Sequence, residues 1–361
     1  QVCEKQASGV EDPANSQMAS RYRTLLYTSA YMGMALATQA SHSRTSQTVE
    51  RKSVSFLQMQ APGLGAMGTQ CDPVPFIAPE ETRCPRRTWL DAMVEADPRP
   101  GKVFMDIGCN KGDDAIEMME RWDATGHFWS KQKWMDLYAE VLGSEPKYAC
   151  GRPSYNFRRV APTTDAVHGS VSVCVEPMEA NFRMLRNISS TLAYTPHGRH
   201  GPFHTIQAAL SDHAVPGETI QFPNGNPGDE AWQVPHVASG AAASHPRVAQ
   251  TPVPLSTVDR VKADLQLAKV DILRIDTEGA DPAVLLGARS TLETVRYLEF
   301  EVHRDLHNTA WEKTTLKSVV ASLFHQGFDC YWAGNNGLLI SLNYCWKDRF
   351  ERGAWANAVC V

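Results

Sequence analysis

No run of this chain comes near the roughly 20 apolar residues that a membrane-spanning helix requires, so a multi-pass membrane protein is excluded. There is no basic excess either: 35 Lys and Arg stand against 40 Asp and Glu, a net charge of −5, which gives no electrostatic footprint for nucleic acid. No Cys-x-x-Cys pair occurs among the 9 cysteines, so a structural zinc site has little support, and cysteine is too sparse for a small disulfide scaffold. Internal repeats are absent. So is the three-glycine fingerprint of dinucleotide-binding folds. What remains is 361 residues with a hydrophobic share of 43%, enough to form a real core and too apolar for wholesale disorder.

The first seventy residues read as an address. From Met18, a short basic stretch through Arg23 leads into the mostly apolar Leu25 to Ala37, and Ala37 to Ala40 offers small residues at a cleavage-like position. That is the layout of a secretory signal, leading to the secretory lumen or the outside. A plain amphipathic segment is the rival reading. Ser41 to Gln70 is rich in Ser and Thr and contains one acid, Glu50. Such a composition suits a transit segment, hence a two-part plastid leader, or a flexible linker. Residues 1–70 are therefore expected to be a leader and linker, and 71–361 the folded domain.

Beyond residue 70, apolar runs of strand length alternate with segments of helical spacing. Strands are predicted at Val103 to Ile107, Val171 to Val175, Phe203 to Ala209, Val270 to Ile275 and Tyr297 to Val302. Helices are predicted at Thr88 to Ala96, Asp113 to Trp122, Phe128 to Leu142, Pro177 to Leu192, Pro282 to Leu292 and Leu316 to Gln326. Asp329 to Trp332 and Gly337 to Leu342 read as a terminal hairpin. The alternation predicts an α/β fold, with a mostly parallel sheet covered by helices on both faces. Two insertions, 122–169 and 224–250, interrupt it and are candidates for lids or loops around a pocket. Trp129, Trp134 and Tyr138 read as a packing face, Cys109 and Cys174 as free core cysteines, and Asn187-Ile-Ser189 as a glycosylation sequon inside a helix.

Carboxylates gather where strands end. Asp106 is followed by the loop Gly108-Cys109-Asn110-Lys111-Gly112 and then a helix, an arrangement that lets backbone approach an anionic or polar ligand. Glu176-Pro177 closes the next strand, where an acid can hold a ribose diol. Ser211-Asp212 follows the third strand, either as a ligand contact or as an ordinary turn. Asp276, Glu278 and Asp281 crowd six positions after the fourth strand. Asp281 also suits the start of a helix by charge–dipole attraction. Asp276 does not, and an acid placed there is costly unless it binds or exchanges a proton.

These pieces, in this order, together resemble the FkbM-type S-adenosylmethionine-dependent methyltransferases. The Asp-Ile-Gly-Ala-Asn-x-Gly pattern is matched by Asp106 to Gly112, Glu-Pro by Glu176-Pro177 and Ser-Asp by Ser211-Asp212. Leu-Asp is matched loosely by Val258-Asp259, and Lys-Ile-Asp-x-Glu-Gly by Arg274 to Gly279. Cys109 replaces the usual Ala, Arg274 the usual Lys, and Ala115 stands where Ser or Thr is usual. The resemblance implies a class I, Rossmann-like methyltransferase using S-adenosylmethionine, with a C-terminal antiparallel hairpin. It implies cofactor contacts at Asp106, Gly108, Asn110, Gly112, Glu176, Ser211, Asp212 and Asp276. Catalytic roles fall to Asp276, Glu278 and His303, with Glu301 a further candidate base and no metal assigned. The implied reaction is O-methylation of a hydroxyl on a small molecule or glycan. A non-catalytic interaction module of the same fold is the alternative, and a nicotinamide oxidoreductase is disfavoured by the missing fingerprint.

Overall fold

In the computed structural model, the described residues are 84–361 except 125–128, 149, 152, 163–169, 193–201, 230–248, 304–308, 335–336 and 353–354. Residues 1–70, the expected leader and linker, and most of the second insertion, with Trp232, lie outside them. No helix among the described residues is long and apolar enough to cross a membrane.

The core is an eight-stranded sheet. Strands β1 (Val103–Ile107), β2 (Val171–Val175), β3 (Phe203–Ile206), β7 (Ile272–Ile275) and β8 (Tyr297–His303) run parallel, in the order β3-β2-β1-β7-β8. Then β11 (Trp355–Cys360) enters antiparallel beside β8, followed by the hairpin β9 (Cys330–Ala333) and β10 (Leu339–Ser341) at the edge. Helices α1 (Thr88–Ala96), α2 (Asp113–Arg121), α3 (Lys131–Leu142), α4 (Glu179–Leu192), α5 (Val258–Asp264), α6 (Asp281–Leu286), α7 (Arg289–Leu292) and α8 (Leu316–His325) complete it. The near-continuous apolar strands are explained by two separate buried clusters. Met105, Val173 and Leu273 belong to one; Phe104, Cys174 and Ile272 belong to the other. Successive residues of a strand face opposite sides, so a sheet with two apolar faces needs helices on both.

The expected architecture is present, with four corrections. The β9–β10 hairpin is not terminal: β11 follows it and inserts between it and β8. The third predicted strand stops at Ile206, and Ala209–Leu210 (β4) joins β6 (Gln250–Ser256) and β5 (Thr219–Pro223) in a small separate sheet. The predicted helix over 282–292 is two short helices interrupted at Gly287. Cys109 and Cys174 are bonded to each other, and Cys84–Cys150 and Cys330–Cys360 form two more disulfides. The expected packing face holds: Trp134 and Trp129 lie against Phe203 with ring centres 5.0 and 6.1 Å away.

Consecutive connections from β1 run to one side, through β2 and β3, and the chain then crosses to β7 on the other side of β1. An open α/β sheet leaves a crevice beyond the carboxyl ends of its strands where the order reverses. Here that place is the end of β1.

Candidate functional site

A cavity of about 970 Å³ opens at that point, lined by residues from the ends of β1, β2, β7 and β8 and from the first insertion. It is at the upper end of the usual range for ligand pockets, roughly 300–1,000 Å³.

The β1 loop forms its floor. Gly108 has φ +80°, and a Cβ there would sit 1.8 Å from the Asp276 carbonyl oxygen, so glycine is what lets β1 and β7 turn past each other. Gly112, φ +75°, precedes α2, and a Cβ would meet Leu185 at 2.8 Å and Trp134 at 3.0 Å. Trp134 also donates its indole N–H to the Lys111 carbonyl at 2.7 Å. The aromatic face of α3 thus braces the loop from behind.

Glu176, at the end of β2, is 5% exposed and anchored by two backbone donors. Asn110 N–H reaches Oε2 at 2.8 Å and Met178 N–H reaches Oε1 at 2.9 Å. Burial outweighs these bonds and pushes its pKa up to about 7. Asn181 adds a side-chain hydrogen bond, so three donors meet the carboxylate's roughly four acceptor positions and acceptor capacity is left over.

Across the cavity, Arg274 on β7 ties three carboxylates together. It lies 3.0 Å from Asp106, 2.6 Å from Asp276 and 3.0 Å from Asp114. Asp106 is 3% exposed, and its Oδ2 has no hydrogen-bond partner among the described residues. Burial raises its pKa to about 6 against the pull of Arg274. Asp114 goes the other way: burial opposes ionisation, but Arg87 and Arg274 hold it well below the usual carboxylate range. Arg87 bonds Asp114 directly, and Lys131 lies 2.8 Å from Glu117, which Arg121 also pairs at 2.8 Å. The charged face of α2 is therefore a buried ion-pair lattice in the cavity wall itself, which Arg87, Asp114, Glu117, Arg121 and Lys131 all line. Helical i,i+4 spacing made the Glu117–Arg121 pair visible in the sequence. Arg87, just before α1, and Lys131, on α3, come from other parts of the chain and left no local signal.

The third wall pairs the β7 turn with β8. Glu278 has φ +52°, an uncommon conformation for a residue with a side chain. Its carboxylate lies 3.5 Å from His303 Nε2. Glu301 and His303 are two apart on β8 and so face the same side of the sheet. Glu301 is 3% exposed. Trp355 of β11 donates its indole N–H to Glu301 Oε1, and its ring stacks on His303 with centres 6.0 Å apart. Burial, then the charges of Asp276, Glu278 and Asp281, drive the Glu301 pKa well above its ordinary value.

Of the sequence-predicted residues, Gly108, Asn110, Glu176, Asp276, Glu278, Glu301 and His303 all line the cavity. Four do not. Asp106 acts from beneath, through Arg274, and Gly112 packs behind the loop. Ser211 and Asp212 lie outside: Asp212 accepts from the Ser211 hydroxyl at 3.0 Å and meets the His213 ring, and Ala208, Ala209 and Leu210 line the cavity in their place. The loose Leu-Asp match has a structural role, since Asp259 accepts the N–H groups of Ser290 and Thr291 at 3.0 and 2.8 Å and so caps α7. Asp281 is fully buried and accepts from the N–H groups of Gly279 and Glu301. The first insertion reaches the cavity with Tyr148, Ser154, Asn156 and Phe157. Sequence reasoning missed Trp355 and Asn357; the alternation within Trp355-Ala-Asn-Ala-Val-Cys360 is the signal that marks their strand.

A Rossmann-like sheet with an inserted antiparallel strand, and with its acids at the ends of β2, β7 and β8, defines a class of ligand-binding α/β proteins to which many methyltransferases belong. Within that class, the methyltransferase FkbM domain matches residues 106–330 of this chain, and the chain belongs to that family. Among solved structures it is similar to methyltransferase FkbM from Methylobacillus flagellatus KT, at 10% identity and a TM-score of 0.35. The match covers 72% of this chain and 43% of that one, so it spans less than half of the bacterial protein. No curated protein matches the chain.

Proposed function

We propose that this protein transfers a methyl group from S-adenosylmethionine to a hydroxyl of a small molecule or glycan. The observation that carries the reading is one cavity with Glu176 on one side and Asp276, Glu278 and His303 on the other.

The residues present suit that cofactor. Glu176 keeps free acceptor capacity toward the cavity, as a ribose diol requires, and the Gly108–Lys111 backbone lies beside it. Ala208, Leu210 and Phe222 offer an apolar wall for a base. Asp276, fixed by Arg274, supplies a carboxylate for a cationic centre. When bound, S-adenosylmethionine supplies an electrophilic methyl carbon whose sulfur departs as a neutral thioether. The chain's own part is to hold the acceptor oxygen in line with that carbon and to take its proton. The Glu278–His303 pair is the group placed to receive it at His303 Nε2 or the Glu278 carboxylate. Tyr148, Asn156 and Phe157 of the insertion then shape the acceptor side.

Calorimetric titration with S-adenosylhomocysteine tests the reading. Binding is expected, with Glu176→Ala weakening it by roughly 1–3 kcal/mol, the scale of a lost charge-assisted hydrogen bond. Because the diol donates to the ionised carboxylate, wild-type affinity should fall as pH drops through about 7. Glu176→Gln should remove that dependence. Equal affinity in wild type and Glu176→Ala would take Glu176 out of the ribose site. Radiolabelled transfer to a panel of sugars, polyketides and lipids then identifies the acceptor.

The export reading of the leader is supported by the Cys84–Cys150, Cys109–Cys174 and Cys330–Cys360 disulfides, since such bonds persist in oxidising compartments. Protein from the source cell should begin after Ala40 and resist alkylation at Cys84, Cys150, Cys330 and Cys360. A mature chain that starts at Gln1 or Met18 would defeat it.

A further inference from the structure

Glu278, Glu301 and His303 carry more than the transfer of a proton requires. One ligand-capable atom from each lies within 4.8 Å of the other two. Two of them, Glu301 and His303, alternate on the same face of a strand, and the third comes from the turn after the neighbouring strand, so the cluster rests on the sheet itself. Sites built on such elements hold their geometry better than sites on loops.

Glu301 is the informative member. Trp355 occupies Oε1, whereas Oε2 is buried without a hydrogen-bond partner among the described residues. Glu301 also makes no ion pair there. Arg274 is committed to Asp106, Asp114 and Asp276, and Asp281 adds another buried carboxylate, which accepts the backbone N–H groups of Gly279 and Glu301 and is not paired with a cation among the described residues. A buried carboxylate is ordinarily paired, hydrogen-bonded or coordinated to a metal. Here one oxygen is anchored by an indole and the other is left over, beside an imidazole and a second carboxylate. An outer partner that fixes one oxygen while leaving the second available is the usual support of a metal-ligating carboxylate.

We infer that Glu278, Glu301 and His303 bind one divalent cation at the acceptor end of the cavity. Two carboxylates and one imidazole suit a first-row ion of the Mn²⁺ type better than a soft thiophilic ion. All three ligands line the cavity, so the ion's remaining positions face the space that an acceptor enters. The proposal rests on the methyl-transfer reading for its purpose and deepens it. A cation there binds an acceptor through its hydroxyl oxygen, best through two adjacent oxygens, and eases loss of the hydroxyl proton to solvent. Glu278 and His303 then act as ligands, and the substrate class narrows to vicinal diols and other paired-oxygen acceptors.

Mn²⁺ alone is the probe. The full chain is stripped with chelator and titrated with MnCl₂, the free-ion electron paramagnetic resonance signal reporting what remains unbound. One ion per chain is expected, with affinity at least tenfold weaker in both Glu301→Gln and His303→Gln, and unchanged in the remote exposed variant Glu293→Gln. S-adenosylhomocysteine binding, measured on the same samples, shows that each variant is folded. Should Glu301→Gln fail to fold, His303→Gln carries the comparison. Absence of saturable Mn²⁺ binding overturns the inference, as does equal binding by wild type and both variants. If cofactor binding persists while Mn²⁺ binding is absent, the cation site fails and the methyl-transfer reading stands. Saturable Mn²⁺ binding without cofactor binding supports the site and removes its proposed purpose.

Discussion

Arg274→Gln is expected to cost about 3–5 kcal/mol, the scale for removing one partner from a buried charge cluster. At roughly 2–4 °C per kcal/mol for a domain of this size class, the melting temperature should fall by about 10 °C. The reason is geometric. Among the described residues, Arg274 is the one cation shared by Asp106, Asp114 and Asp276, at 3.0, 3.0 and 2.6 Å. Asp114 retains Arg87, but among the described residues Asp106 retains no cation, and one of its oxygens already lacks a partner there. The loss should also depend on pH. Burial sets the folded pKa of Asp106 at about 6, above its model-peptide value of 3.8. A carboxyl raised in this way contributes stability that is full below the unfolded value and lost as pH rises through the folded one. Without Arg274 the penalty on its ionised form grows, so the variant's deficit should be larger at pH 8 than at pH 5. Adding Asp106→Asn should recover part of the deficit by removing the stranded charge, a coupling that a double-mutant cycle measures. A deficit below about 1 kcal/mol at both pH values would mean that Arg274 is not the keystone of the cluster.

That cluster also marks the limit of what a linear reading reveals. The parallel sheet, the Gly108 loop and the acids Glu176, Asp276 and Glu278 were legible because each is local: a strand-length apolar run, then glycine or acid at its end. Glu301 and His303 were legible by period-two spacing on β8. Their partner Trp355 lay 54 positions beyond Glu301, on a strand whose place between β8 and β9 depends on pairing rather than on local pattern. Asp212 failed for a related reason. The chain after β3 turns into the small β4–β6–β5 sheet, which carries Ala208 to Leu210 past the cavity and leaves Asp212 outside its lining. The Cys109–Cys174 bond was missed because 65 positions separate two residues that adjacent strands bring to 5.6 Å between Cα atoms.

Gly108→Ala should be the most damaging change of a single atom in the molecule. Two costs add at this position. Its φ of +80° lies in the left-handed region that side chains rarely adopt, and the new Cβ would be built 1.8 Å from the Asp276 carbonyl oxygen. Strain of the first kind costs about 1–3 kcal/mol. Overpacking against backbone costs about the same again, because Asp276 cannot step aside: its N–H is bonded to the Ile107 carbonyl at 2.9 Å, in the ladder joining β1 to β7. Gly143 supplies the control. Its φ of +73° is close to that of Gly108, but a Cβ there meets nothing within 4 Å. Gly143→Ala therefore reports conformational strain alone, and the difference between the two variants isolates the clash. The expectation is a loss of about 3–5 kcal/mol for Gly108→Ala against about 1–2 kcal/mol for Gly143→Ala, read by chemical denaturation at constant m-value. The site should register the same difference. Relief of the clash has to separate the ends of β1 and β7, which moves Asp276 away from Glu176 across the cavity. S-adenosylhomocysteine affinity should then fall at least tenfold in Gly108→Ala, while Gly143→Ala binds as wild type does. Equal losses of stability in the two variants would show that β7 yields easily at this point, and that the close approach of the two strand ends is not what holds the pocket in shape.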